Sequence, residues 1–121
     1  MNAMQVPLLV EIVLILTAMV LGFFLFRTKK PYGKVRLAFH VFFAVWFAFG
    51  YSFVASSVWL TQGLSGTGIA ILVMGAALLV QVATGLGLLV SKARLVLAAV
   101  HGTSAFLVLI SAAVAFFLAA N

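Results

Sequence analysis

Residues 78–116 read LLVQVATGLGLLVSKARLVLAAVHGTSAFLVLISAAVAF. Two stretches that carry no charge are separated only by Ser91, Lys92, Ala93 and Arg94. Apolar residues fill every side of either stretch, which is the mark of a helix with no aqueous face. A bilayer core of roughly 30 Å takes about 20 helical residues. Each stretch extends outward to that length, giving expected spans at residues 68–90 and 95–120. Working back along the chain, residues 6–26 and 35–60 form two more runs of the same kind.

Composition supports the same solvent. Of the 121 residues 67% are hydrophobic and 7% charged, and the mean hydropathy is +1.38. A water-soluble domain of this size has too high a surface-to-volume ratio to hide so much apolar surface. Backbone groups in lipid must be satisfied within a segment or in a closed barrel, and the runs lack the alternation of barrel strands. The expected fold is all-α: an integral membrane four-helix bundle, one domain over residues 1–121, in contact with the lipid bilayer. Pro7 and Pro31 fall at a helix start and in a loop, where a missing N–H is tolerated. The N-terminus has no basic region or cleavage site of a secretory signal, so the first span is expected to be retained.

All seven basic residues fall on one side of that topology. Arg27, Lys29, Lys30, Lys34 and Arg36 lie between spans one and two, and Lys92 and Arg94 between spans three and four. The turn between spans two and three, TQGLSGTG, is uncharged. The positive-inside rule then puts both termini outside and both basic turns in the cytoplasm, as in a prokaryotic plasma membrane. The net charge of +6 is topogenic. Divided between two tight turns it makes a poor groove for nucleic acid, and no such partner is expected. The chain has no cysteine, so disulfides, thiolate metal sites and cysteine nucleophiles are excluded.

The basic turns also echo one another. KVRLAFH (34–40) and KARLVLAAVHG (92–102) share Lys-x-Arg-Leu, and each contains one of the two histidines. The echo suggests two helical hairpins in tandem. His40 lies four residues beyond Arg36, and His101 seven beyond Arg94. At 3.6 residues per turn both steps return to nearly the same face. Spans two and four run in the same direction, so both imidazoles fall in the half of the membrane nearer the basic turns.

Two facing imidazoles at one depth suit axial ligation of a haem iron. On this reading His40 and His101 are the ligands. Gly22, Gly85 and Gly87 give a flat ring access to the backbone, while Arg36 and Arg94 pair with the propionates. Two other readings stay open. Membrane histidines also bond to a facing carbonyl or hydroxyl, with Thr84, Thr103 and Ser104 near enough, and histidines also handle protons or metals. No carboxylate lies at their level to complete a metal site.

The 78–116 segment resembles small membrane cytochromes b, in particular the haem A synthase half-bundle and cytochrome b561-like families. The shared texture is a glutamine and glycines late in one helix, then a histidine early in the next. In span two only His40, within RLAFHVFF, fits. The resemblance implies bis-histidine haem b, with His40 and His101 as ligands, and electron transfer that often involves a quinone.

Glu11 is the only acid, and topology puts it most of a membrane away from the histidines. It reads as a proton-coupling carboxylate, as in small four-helix exporters, or as one that snorkels to the surface or pairs with a partner. Gln81 and Thr17 are expected to bond across helices. No Ser/His/acid set and no phosphate loop is present, so the chain is not expected to be catalytic alone. Three function classes follow: an electron-transfer subunit exchanging electrons between a quinone pool and a partner; a cofactor-free accessory subunit of a respiratory, photosynthetic or oxidase complex; and a small homo-oligomeric proton-coupled transporter using Glu11.

Overall fold

The computed structural model describes residues 1–28 and 32–120. Lys29, Lys30 and Pro31, all assigned to the first basic turn, lie outside the described residues, as does Asn121. Four helices form: α1 (Gln5–Arg27), α2 (Lys34–Gln62), α3 (Gly66–Val90) and α4 (Arg94–Leu118). All four are long and apolar enough to cross a membrane. Their ends fall within two residues of the expected spans.

The helices run up and down around a square. Among the described residues α1 packs on α2, α2 on α3, α3 on α4 and α4 on α1, while the diagonal pairs stay apart. The inward residues step by three and four, the spacing of a left-handed bundle. In α1 the seam runs Leu8, Glu11, Ile15, Ala18, Gly22 and Leu25, and in α4 Leu97, His101, Ser104, Val108, Ser111 and Ala115. Polar side chains sit on the seams because lipid offers them no partner. The outward faces carry Phe39, Phe42, Trp46, Phe49 and Phe53 on α2 and comparable apolar residues elsewhere. Ser52, Ser56, Ser57 and Thr61 also face outward, and each hydroxyl donates to the carbonyl four residues back, which satisfies it without a neighbour.

Latches at both ends close the square between α1 and α4. At the uncharged end the Asn2 side chain donates to Ala119 O, and Gln5 donates to Phe116 O at 3.4 Å. At the basic end Arg94 Nη2 donates to Phe26 O and Thr28 O, both at 2.7 Å. Those are C-terminal carbonyls of α1, which no helical N–H reaches and which the helix dipole makes attractive to a cation. The Arg94 guanidinium also lies over the Phe26 and Tyr32 rings, at 5.5 and 5.3 Å.

The core is uneven. Leu8, Phe47, Val54, Val58, Met74, Val108, Ala112 and Ala115 fill the half of the bundle toward the uncharged end. On the basic side of the histidines, Leu25 is the only buried side chain among the described residues. The histidines therefore stand at the border between a half with many buried side chains and a half with few.

Candidate functional site

His40 from α2 and His101 from α4 meet across the square. Their ring centroids are 6.2 Å apart, with the planes at 59°. Each imidazole is fixed by the other helix of its own hairpin. His40 Nδ1 lies 2.9 Å from Ala18 O on α1, and His101 Nδ1 lies 3.0 Å from Gln81 O on α3. A carbonyl oxygen only accepts, so Nδ1 carries the hydrogen in both rings and Nε2 keeps its lone pair.

The glycines explain why those two carbonyls are reachable. A helical side chain leans toward the N-terminus and covers the turn before its own Cα. Gly22 follows Ala18 by four residues, and Gly85 follows Gln81 by four. With no side chain there, the carbonyl one turn back is uncovered, and the imidazole lies in the gap. A Cβ at Gly22 would stand 3.0 Å from His40 Cε1, and one at Gly85 3.0 Å from His101 Cε1. The ring that these glycines admit is thus the histidine's own. Gly87 has a different neighbour: a Cβ there would meet Leu97 Cδ1 at 3.2 Å. Tyr51 repeats the device between α2 and α3, donating to Ile71 O at 3.1 Å, with Gly75 four residues on.

The hairpins differ in one respect. Where α1 has Ala18, α3 has Gln81, whose side chain crosses to α4 as expected. Its amide Nε2 lies 3.1 Å from His101 Nε2 and donates to it, and its Oε1 accepts from Ser104 Oγ at 2.6 Å. Thr84 Oγ1 lies 3.1 Å from His101 Nδ1. His101 thus has an ordered set of polar neighbours on α3 and α4.

The remaining predicted residues fall as follows. Arg36 is exposed near the start of α2. Arg94 is committed to the end of α1, a role its sequence position gave no hint of. Thr17 does not cross to another helix; its hydroxyl donates to Val13 O at 2.8 Å in α1 itself. Glu11 does not snorkel: it is 2% exposed, wedged against Gly50 of α2. It is nearer the histidines than expected, because the 11 residues from Glu11 to Gly22 rise about 16 Å, half a bilayer core.

The Arg94 latch gives a stability prediction. Arg94→Ala removes charge-assisted bonds and leaves two carbonyls at the end of α1 without a partner, a loss of about 2 kcal/mol. Arg94→Lys recovers only part of it, since a compact ammonium lacks the planar guanidinium that lies over the Phe26 and Tyr32 rings. Unfolding in mild detergent measures both variants. Wild-type stability in Arg94→Ala would show that the latch is idle.

Compared with protein-family models, with characterised proteins and with solved structures, the chain matches none.

Proposed function

We propose that this chain is a membrane electron-transfer subunit in which His40 and His101 ligate one haem b. The observation that carries the reading is the pair of imidazoles across the bundle, their planes at 59° and each Nδ1 on a backbone carbonyl, which leaves Nε2 as the nitrogen with a lone pair. With metal–imidazole bonds of about 2.0–2.1 Å, and ~1.2 Å more from each nitrogen to its ring centre, two imidazoles on one iron would have centroids about 6.4–6.6 Å apart. The observed separation is 6.2 Å. On the basic side of the rings Leu25 is the only buried side chain among the described residues, and the basic turn ends, Arg36 included, would bring positive charge toward propionates. Bound haem would supply a one-electron couple buried in the bilayer.

The chain's own part is to hold the ligands. The Ala18 and Gln81 carbonyls fix the tautomers and orient the rings, as outer-shell acceptors do for metal-bound histidine. The Gln81 amide must turn away from Nε2 before His101 can ligate. A quinone pool on one side and a partner subunit on the other remain the proposed donor and acceptor, with the basic turns in the cytoplasm.

A second reading rests on that same Gln81 contact. If His101 keeps its bond to the amide, the pair is a polar staple worth about 0.6–2 kcal/mol, and the chain is a cofactor-free scaffold for other membrane subunits. A reduced-minus-oxidised visible spectrum of the chain purified from a haem-supplied host separates the two. The haem reading expects sharp α and Soret bands on reduction, at about one haem per chain. A flat difference spectrum overturns it and leaves the scaffold.

A further inference from the structure

We infer that Glu11 is a second functional site: a proton-binding carboxyl in the packed half of the membrane bundle, independent of the haem reading. The carboxyl group is enclosed. Glu11 is 2% exposed, and its Oε2 is buried with no hydrogen-bond partner. Gly50 of α2 makes its socket, since any Cβ at that position would overlap Oε1. A space so closely shaped around a carboxyl group keeps it inside the protein rather than letting it reach the membrane surface.

Among the described residues no counter-charge meets it. All seven basic residues lie in sequence at or beside the two basic turns, the far end of α1 from Glu11. From α2 the one titratable side chain at its level is Tyr51, whose hydroxyl is spent on Ile71 O. α3 brings Met74 and Gly75 to this layer, and α4 brings Val108 and Ser111, none of them charged. An ionised carboxylate without a partner is too costly to bury, and such a group takes up a proton instead. A metal cation is not the ligand, because calcium and magnesium need several oxygen donors, and the described residues hold no cluster of metal-ligating side chains. The ligand that fits one carboxyl in an apolar socket is the proton. Releasing it would put a bare charge against Gly50, so deprotonation is linked to loosening of α1 from α2 at this level.

The test is covalent labelling of the full chain in membranes with N,N′-dicyclohexylcarbodiimide. The protonated carboxyl adds across a C=N bond of the reagent and rearranges to a stable N-acylurea. The proton stays in the adduct and nothing leaves. The expected result at neutral pH is one adduct, mapped by peptide mass spectrometry to Glu11 and absent in Glu11→Gln. A water-soluble carbodiimide should leave Glu11 unmodified in the same membranes. No adduct at Glu11 from the lipid-soluble reagent overturns the proposal, as does equal labelling by both reagents, which would mean an open, hydrated carboxyl. Because Glu11→Gln can be checked for folding by its haem spectrum or melting, loss of label through misfolding is recognised directly. Failure here leaves the haem reading untouched, and a chain without haem leaves this proposal untouched.

Discussion

Alanine in place of either His40 or His101 is expected to lower the haem content of the purified chain at least tenfold. On the proposed haem reading each imidazole would supply one bond to the iron, and even second-shell partners of a metal site are worth 10–100-fold in affinity. The loss should be shared by both variants, because the two rings face one another across 6.2 Å and neither has a neighbouring histidine to replace it. Thr103→Ala is the matched comparison. Its hydroxyl is exposed and donates to Ala99 O at 2.8 Å within α4, so its spectrum should be that of the unaltered chain. Haem content is read from the pyridine haemochrome of detergent-purified protein. Full retention in both histidine variants would remove the ligand assignment, while retention in one alone would move the second ligand elsewhere.

The bundle was legible because its signal is redundant. Any of dozens of apolar residues between Val6 and Leu118 could change without altering the reading of four long helices, and charges mark the turns on one side. The histidine pair was legible for a simpler reason: helical period and the direction of the spans fix a side chain's face and depth. What pattern could not supply was the partner of each polar group. Ala18 takes part through its carbonyl, and no side chain announces that; the available signal is Gly22, one turn further on. Arg94 reads as a propionate partner because it lies under His101, and the pattern gives no sign that its guanidinium also reaches the carbonyls at the end of α1. Glu11 looked free to snorkel because it lies near a helix end, and only Gly50, 39 residues later, gives it a place inside. In each case the deciding contact is between helices at a glycine or a helix terminus, where the chain bares backbone.

That dependence on bare backbone makes Gly22 and Gly85 the glycines on which the histidine pair depends. A Cβ at Gly22 would stand 3.0 Å from His40 Cε1 and 3.3 Å from Nδ1, and one at Gly85 3.0 and 3.5 Å from the same atoms of His101. Alanine therefore asks each ring to shift by a few tenths of an ångström. Valine asks for much more, because its branches spread over the turn that exposes the Ala18 or Gln81 carbonyl. The imidazole would lose its Nδ1–H acceptor, a cost of about 1–3 kcal/mol for a buried donor, and with it the contact that orients the ring. Gly22→Val and Gly85→Val are thus expected to weaken haem retention by about 10–100-fold, with Gly22→Ala and Gly85→Ala between valine and glycine. Gly87→Val serves as the control: its nearest obstacle is the movable tip of Leu97, and the spectrum should survive. Haem titration of the apo-protein in detergent ranks these variants. Equal losses at all three positions would mean that helix packing, rather than the histidine–carbonyl bond, is what these glycines protect.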